Sequence, residues 1–158
     1  MLDTDLTLQD IPADCLAKLL DYWKSKRNGR TMPSRSDIYP EEIHRYLPHI
    51  VLIDVEPDPL RFKARLVGTE IVRAIGRDFT GMYFDSFPHI DKLLDRLKAL
   101  MDSKKPYLVN DHVQWPEKSF MEYYALALPL SDNDRDINII MYGMYYPIYE
   151  EMTARKLG

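Results

Sequence analysis

Between residues 60 and 67 apolar and charged side chains alternate, with Leu60, Phe62, Ala64 and Leu66 set against Arg61, Lys63 and Arg65. A period of two is that of a strand with one buried face. Gly68 ends it. Thr69 stands at an N-cap position, Glu70 suits a first helical turn, and Ile71, Val72 and Ile75 make one apolar side before Gly76 closes the helix. Upstream, Cys15, Leu16, Leu19, Leu20 and Trp23 recur at helical spacing, with Lys24, Lys26 and Arg27 in the last turn and Gly29 at the stop. That stripe must be covered, either by the chain's own sheet or by the same helix of a second subunit. Pro40, Glu41 and Glu42 open a short helix that ends near Tyr46.

Ile50 to Val55 reads as a strand, and the Glu56-Pro57-Asp58-Pro59 turn joins it to the alternating strand as a hairpin. A long helix is predicted from Pro88 to residue 103, with Ile90, Leu93, Leu94, Leu97, Leu100 and Met101 on one face, stopped by Pro106. The last third is rich in strand formers, at Tyr107 to Trp115, Phe120 to Pro129 and Ile137 to Tyr146, with links short enough for an antiparallel meander. Two strands, then helices, then three strands predict an α+β fold: a five-stranded antiparallel sheet, helices on one face and an N-terminal flanking helix. The parts are a helical flank over 1–47, a core over 48–147 and a tail or short helix over 148–158, expected to make one domain.

Several short motifs stand in a fixed order: Trp23 in a helix, Pro33-Ser34-Arg35-Ser36-Asp37-Ile38, Leu47-Pro48, Arg65-Leu66-Val67-Gly68-Thr69 and Gly76-Arg77-Asp78-Phe79-Thr80-Gly81. In this order they resemble the PAS-domain family, and within it a short alphaproteobacterial branch. The motifs cover about Leu19 to Phe87, and beyond Pro88 the resemblance rests on element order. It implies a non-enzymatic sensor module in bacterial signalling, working through a small ligand, a partner protein or both. No kinase, cyclase or helix-turn-helix segment follows the sheet, so the effect is expected to be delivered by protein–protein interaction.

Composition narrows the class. Hydrophobic residues at 46% and charged ones at 29% suit a globular protein rather than a disordered one. A net charge of -4 argues against a surface built as a nucleic-acid footprint. Lys24, Lys26, Arg27, Arg30 and Arg35 are a local basic excess, read as helix-end and loop charges, with Arg35 pairing Asp37 or Asp54. Cys15 is the single cysteine and has no partner for a disulfide, which suits a reducing compartment. The N-terminus lacks the plan of a signal peptide and no apolar run approaches the roughly 20 residues of a membrane span. A cytoplasmic homodimer joined through Cys15, Leu16, Leu19, Leu20 and Trp23 is expected, with no membrane and no nucleic acid among its partners.

His44, His49, His89 and His112 are scattered, with no spacing that makes a metal site. His112 alone lies in a strand where one side faces a cavity; haem ligation is not expected of it, and a structural role is the plainer reading. Asp111, His112 and Glu122 raise the alternative of a small cone-shaped α+β enzyme that uses a buried carboxylate, isomerase-like. Asp111 and His112 are neighbours on a strand and point to opposite faces, which breaks that pair.

Trp115, Met121, Tyr123, Tyr124, Met141, Tyr142, Met144, Tyr145 and Tyr146 are large, adaptable side chains of the kind that fill a core or line a cavity. In the last strand Ile139, Met141 and Tyr145 alternate with Ile140, Met144 and Tyr146, so both faces should be covered. A small apolar or amphipathic ligand is expected between the helix over 88–103 and the inner side of the last three strands. Its lining is expected from Leu97, Met101, His112, Tyr124, Leu126 and Met141. The Tyr124–Leu126 side is chosen because Glu122, in the same register, lies near the strand end and reaches water there.

Overall fold

Asp14–Lys26 form α1, with Leu16, Leu19, Leu20 and Trp23 as its buried stripe in the computed structural model, which describes residues 11–147. The spacing i, i+3, i+4, i+7 puts all four on one side, and each is at most 1% exposed. Acidic Asp14 in the first turn and Lys24 and Lys26 in the last complement the helix dipole. The tail over 148–158, with the short helix expected there, lies outside the described residues.

Five strands follow: β1 Ile50–Pro57, β2 Leu60–Val67, β3 Tyr107–His112, β4 Glu122–Leu130 and β5 Ile139–Tyr145. Between β2 and β3 come α2, Thr69–Ile75, and α3, Asp91–Ser103. The sheet is antiparallel in the order β2-β1-β5-β4-β3, so the last strand of the meander returns to pair with the first hairpin. This is the five-stranded α+β arrangement expected from the sequence.

α1 covers one face of the sheet, at β4 and β5. Gly143 makes the close approach possible: a Cβ there would lie 2.9 Å from Leu16 Cδ2 and 3.1 Å from Leu19 Cδ1. Trp23 Nε1 donates to the Pro129 carbonyl at 2.8 Å, which satisfies the indole where it is buried. Of the two coverings open to the stripe, the chain's own sheet is the one present. Leu16, Leu19, Leu20 and Trp23 are therefore core residues and offer no surface to a second subunit. Cys15, beside them, is partly buried.

Several local expectations change. β2 carries a bulge at Arg65, because Leu52 pairs with Leu66 while Ile53 pairs with Ala64. The extra residue reverses the alternation, so Phe62 and Ala64 are buried while Leu66 is 43% exposed; Leu60, at the hairpin tip, is 38% exposed. Gly68, not Thr69, caps α2, and its N–H donates to the Ile50 carbonyl at 2.8 Å. A Cβ at Gly68 would fall 2.3 Å from the Pro48 carbonyl oxygen, so the Leu47-Pro48 turn and the Val67-Gly68 strand end are packed backbone to backbone. α3 starts at Asp91 rather than Pro88, since His89 adopts a positive φ of 59° and Ile90 is the cap. The short helix after Tyr39 is one 3₁₀ turn, Pro40–Glu42.

The basic run is held by the fold. Lys26 pairs with Glu42 at 3.0 Å and Arg30 with Asp37 at 2.6 Å, while Arg27 lies over the Trp23 ring at 5.0 Å. Arg35 donates to the Ile38 carbonyl at 2.9 Å, and neither expected carboxylate is its partner: Asp37 is taken by Arg30, and Asp54 by Arg65 at 2.8 Å. Reach within the loop decides this, because Asp37 also accepts from the Ser34 N–H.

Gly68→Ala is expected to cost about 3 kcal/mol, because backbone rather than a flexible side chain must move. Gly143→Ala should cost about 1 kcal/mol, the leucine ends giving way by a few tenths of an ångström. Urea denaturation of the two variants checks the ranking, and equal costs would show that the turn over residues 47–49 yields freely.

Candidate functional site

The face of the sheet opposite α1 carries α2 and α3, and between them lies a cavity of about 130 Å³. Its floor is Val51 and Ile53 of β1, Tyr123 of β4, and Tyr142 and Met144 of β5, with Tyr146 just beyond. Alternation puts these residues on one face and Leu52, Tyr124, Leu126, Met141 and Gly143 on the other. The pairing Val51↔Tyr142, with Tyr142↔Ala127 on the other edge, holds the register.

The walls come from helices and loops. α2 contributes Ile71 and Ile75, and α3 contributes Leu93 and Arg96, with its cap Ile90. Phe79, Phe84 and Phe87 close one side as a mutually tilted cluster with centroids 5.8 to 6.3 Å apart. Phe79 is aimed by the loop that follows Gly76. Asp78 Oδ1 accepts from the Thr80 N–H at 3.0 Å and its hydroxyl at 2.6 Å, and the Gly81 N–H donates to Ala64 of β2 at 2.7 Å. These two bonds hold the Asp78 carboxyl below its ordinary range. Val113, Gln114 and Trp115 line the far side. A wider, more polar groove adjoins there and shares Arg77, Phe87, His89 and Trp115 with the cavity.

Arg77, His89, Lys92 and Gln114 border the cavity with exposed side chains, and Arg96 is the half-buried charge among its lining residues. Arg96 Nη1 donates to the Tyr123 hydroxyl at 3.2 Å, and Arg96 Nη2 donates to Asp111 Oδ2, which Lys92 also meets at 3.0 Å. Burial pushes the Asp111 carboxyl up, but the bonds from Arg96, from the His112 N–H and from Lys92 outweigh it and hold it at about 2. Burial also pushes the Tyr123 and Tyr142 phenols up, so both stay protonated. The Tyr107 and Tyr142 hydroxyls are buried near one another, without a hydrogen bond of good geometry among the described residues.

None of the six expected lining residues, Leu97, Met101, His112, Tyr124, Leu126 and Met141, borders this cavity. Tyr124, Leu126 and Met141 face α1, one residue out of step with the cavity floor. His112 is exposed on that outer face too, paired across the strands with Glu122. Leu97 is fully buried but lies beyond the cavity, which sits over the N-terminal half of α3, and Met101 is a turn further on. Glu122 does reach water, but the face it shares is the one under α1; its Oε2 accepts from Asn110 at 2.9 Å. One signal for the correct parity is present in the chain: Gly143, the lone residue without a side chain in the late strands, marks the face that a helix approaches.

Asp111, His112 and Glu122 do not converge. Asp111 faces α3 and its two cations, whereas His112 and Glu122 share the other side of the sheet. Among the described residues no group of His, Cys, Asp or Glu side chains is placed to hold a metal ion, and no helix is long and apolar enough to cross a membrane.

A family model described as a PAS domain matches residues 12–145. Among solved structures, the chain is similar to the PAS domain of histidine kinase ThkA. A selenomethionine variant of that domain matches at 10% identity with a TM-score of 0.45, over 61% of this chain and 97% of that one. A second structure of the domain matches at 12% identity with a TM-score of 0.42, over 60% and 97%. No curated protein matches the chain.

The Asp111 side chain is 14% exposed, so its ion pairs contribute to stability. Its carboxyl is lowered in the folded state, so the contribution is full above the unfolded value of about 4 and is lost as pH falls toward about 2. Asp111→Asn is expected to lower stability by on the order of 2 kcal/mol at pH 7, the gap to wild type closing by pH 2. Thermal melts across pH 2 to 7 check this, and a gap that stays constant would remove Asp111 from the acid response.

Proposed function

We propose that this chain, which belongs to the PAS-domain family, is a sensory module in signalling that takes a small, largely apolar ligand into the cavity between α2, α3 and the sheet. The observation that carries this reading is the cavity itself: about 130 Å³, walled mostly by aliphatic and aromatic side chains, with a half-buried polar corner at Arg96 and exposed Arg77, His89, Lys92 and Gln114 at its margin. An engineered apolar cavity of about 150 Å³ holds benzene, so the space suits a molecule of that size. Met144 and the phenylalanine cluster give the walls room to repack when it is filled.

The signal is proposed to leave by association with a protein, a second copy of the chain included, through surfaces other than the α1 stripe. Phe120, 63% exposed between β3 and β4, is one apolar position open to such a contact. Catalysis has no part in this reading. Asp111 is held ionised by two cations, and Glu122 lies across the sheet from the cavity, so the carboxylates that an isomerase-like site would use do not meet there. A single cysteine, which rules out a disulfide within the chain, fits the proposed cytoplasmic setting.

Met144→Trp fills the cavity from its floor. It is expected to abolish uptake of small-molecule probes and to cost about 1 to 3 kcal/mol through overpacking. Native mass spectrometry against the denatured mass, with titration of benzene-sized probes, is the measurement. Uptake that persists in a folded Met144→Trp protein would place the binding site elsewhere.

A further inference from the structure

Tyr142 is 3% exposed, its side chain borders the cavity, and its hydroxyl makes no hydrogen bond of good geometry among the described residues. Tyr107 meets it edge-on, ring centroids 6.5 Å apart, and the two hydroxyls lie close enough to influence one another, yet neither makes a hydrogen bond of good geometry to the other or to any other described residue. A buried polar group left unpaired costs about 1 to 3 kcal/mol, and such groups are rare in native proteins. Phenylalanine would fill either position without that cost. Packing alone therefore does not account for two tyrosines here. A group entering the cavity would reach Tyr142, which borders it, with Tyr107 behind as that hydroxyl's neighbour.

Tyr123, also on the cavity floor, accepts from Arg96 through its oxygen and keeps its own O–H to donate. The polar corner is thus rich in donors. Its charges are already matched, since Asp111 takes the guanidinium of Arg96. Arg77, His89 and Lys92 also border the cavity, but with exposed side chains at its mouth. A further carboxylate inside would therefore have to leave water for a site whose half-buried cation is engaged, and would lose more hydration than it recovered. A neutral oxygen carries no such cost.

We propose that the occupant of this cavity is a neutral molecule of about seven heavy atoms, a single ring or a branched aliphatic skeleton, with one hydroxyl or carbonyl oxygen that accepts from Tyr142. Tyr107 lies beside that contact and supports the same polar end. The inference rests on the sensor reading of the cavity and adds to it the chemistry of the ligand.

Phenol, its hydrocarbon counterpart toluene, and benzoate separate the two ideas when titrated by calorimetry into wild type, Tyr142→Phe and Tyr107→Phe. The quantity read is the ratio of phenol to toluene affinity. It is expected to fall about fivefold or more in Tyr142→Phe, the worth of one hydrogen bond, with toluene binding retained. Tyr142→Phe removes an orphaned hydroxyl, so it should melt at or above the wild-type temperature; Tyr107→Phe is the second variant should it not fold. A ratio unchanged in both variants, while phenol and toluene still bind, overturns this inference and leaves the sensor reading standing. Benzoate binding more tightly than phenol overturns the neutral ligand. Wild type that takes up none of the three overturns the sensor reading and this inference together.

Discussion

The contact of α1 with the sheet at Gly143 is the constraint on which the other features depend. A strand presents alternate residues to opposite faces, so once a helix is seated on one face every residue of the other parity is committed to the far side. Leu16 and Leu19 sit where a side chain at position 143 would otherwise stand. Leu126, which pairs with Gly143, falls under the helix. Tyr123, Tyr142, Met144 and Tyr146 are thereby left to α2, α3 and the cavity. Trp23 ties the end of the same helix to the β4 backbone through its indole, which keeps the seating in register.

Around the cavity the structure treats polar groups in two ways. Asp111, Arg96, Lys92 and the Tyr123 oxygen form a network in which each charge has a partner, so it costs little in a half-buried place. Tyr107 and Tyr142, next to that network, carry neighbouring hydroxyls that make no hydrogen bond of good geometry among the described residues. In the proposed sensor a wall with both kinds of group sets what is admitted: a charge is disfavoured by the cost of leaving water, and a plain hydrocarbon leaves the donors unmet.

The loops that bear the motifs serve the architecture. Asp37 accepts from the Ser34 N–H and from Arg30, and Asp134 accepts from the Thr31 and Met32 N–H groups at 2.9 and 3.0 Å. The Ser131 N–H donates to the Pro33 carbonyl at 2.9 Å, so the segment after α1 is fastened to the β4–β5 turn. Met32 is fully buried there. Tyr22 adds a further tie: its hydroxyl donates to Glu42 at 2.6 Å and accepts from the Tyr39 N–H, and burial with the Glu42 bond pushes it up to about 12. The basic run from Lys24 to Arg35 is in this way spent inside the fold.

Local pattern was enough for the elements, because period two, period 3.6 and the glycines at helix ends are properties of a few neighbouring residues. The hairpin, α1, α2, the meander and the five strands in their chain order were legible on that basis, as was the apolar character of both faces of β5. What pattern cannot hold is the sign of the parity: when both faces are apolar, the alternation of β4 and β5 is the same read from either side. Only the seating of α1 on Gly143 breaks that symmetry, and it moves the cavity floor from Tyr124, Leu126 and Met141 to Tyr123, Tyr142 and Met144. The bulge at Arg65 belongs with it, since one unpaired residue exchanges the faces of Leu66 and Val67 without changing the letters that alternate. So does the meeting of Arg96 with Asp111, 15 residues apart in sequence, which arises only when α3 lies back across β3.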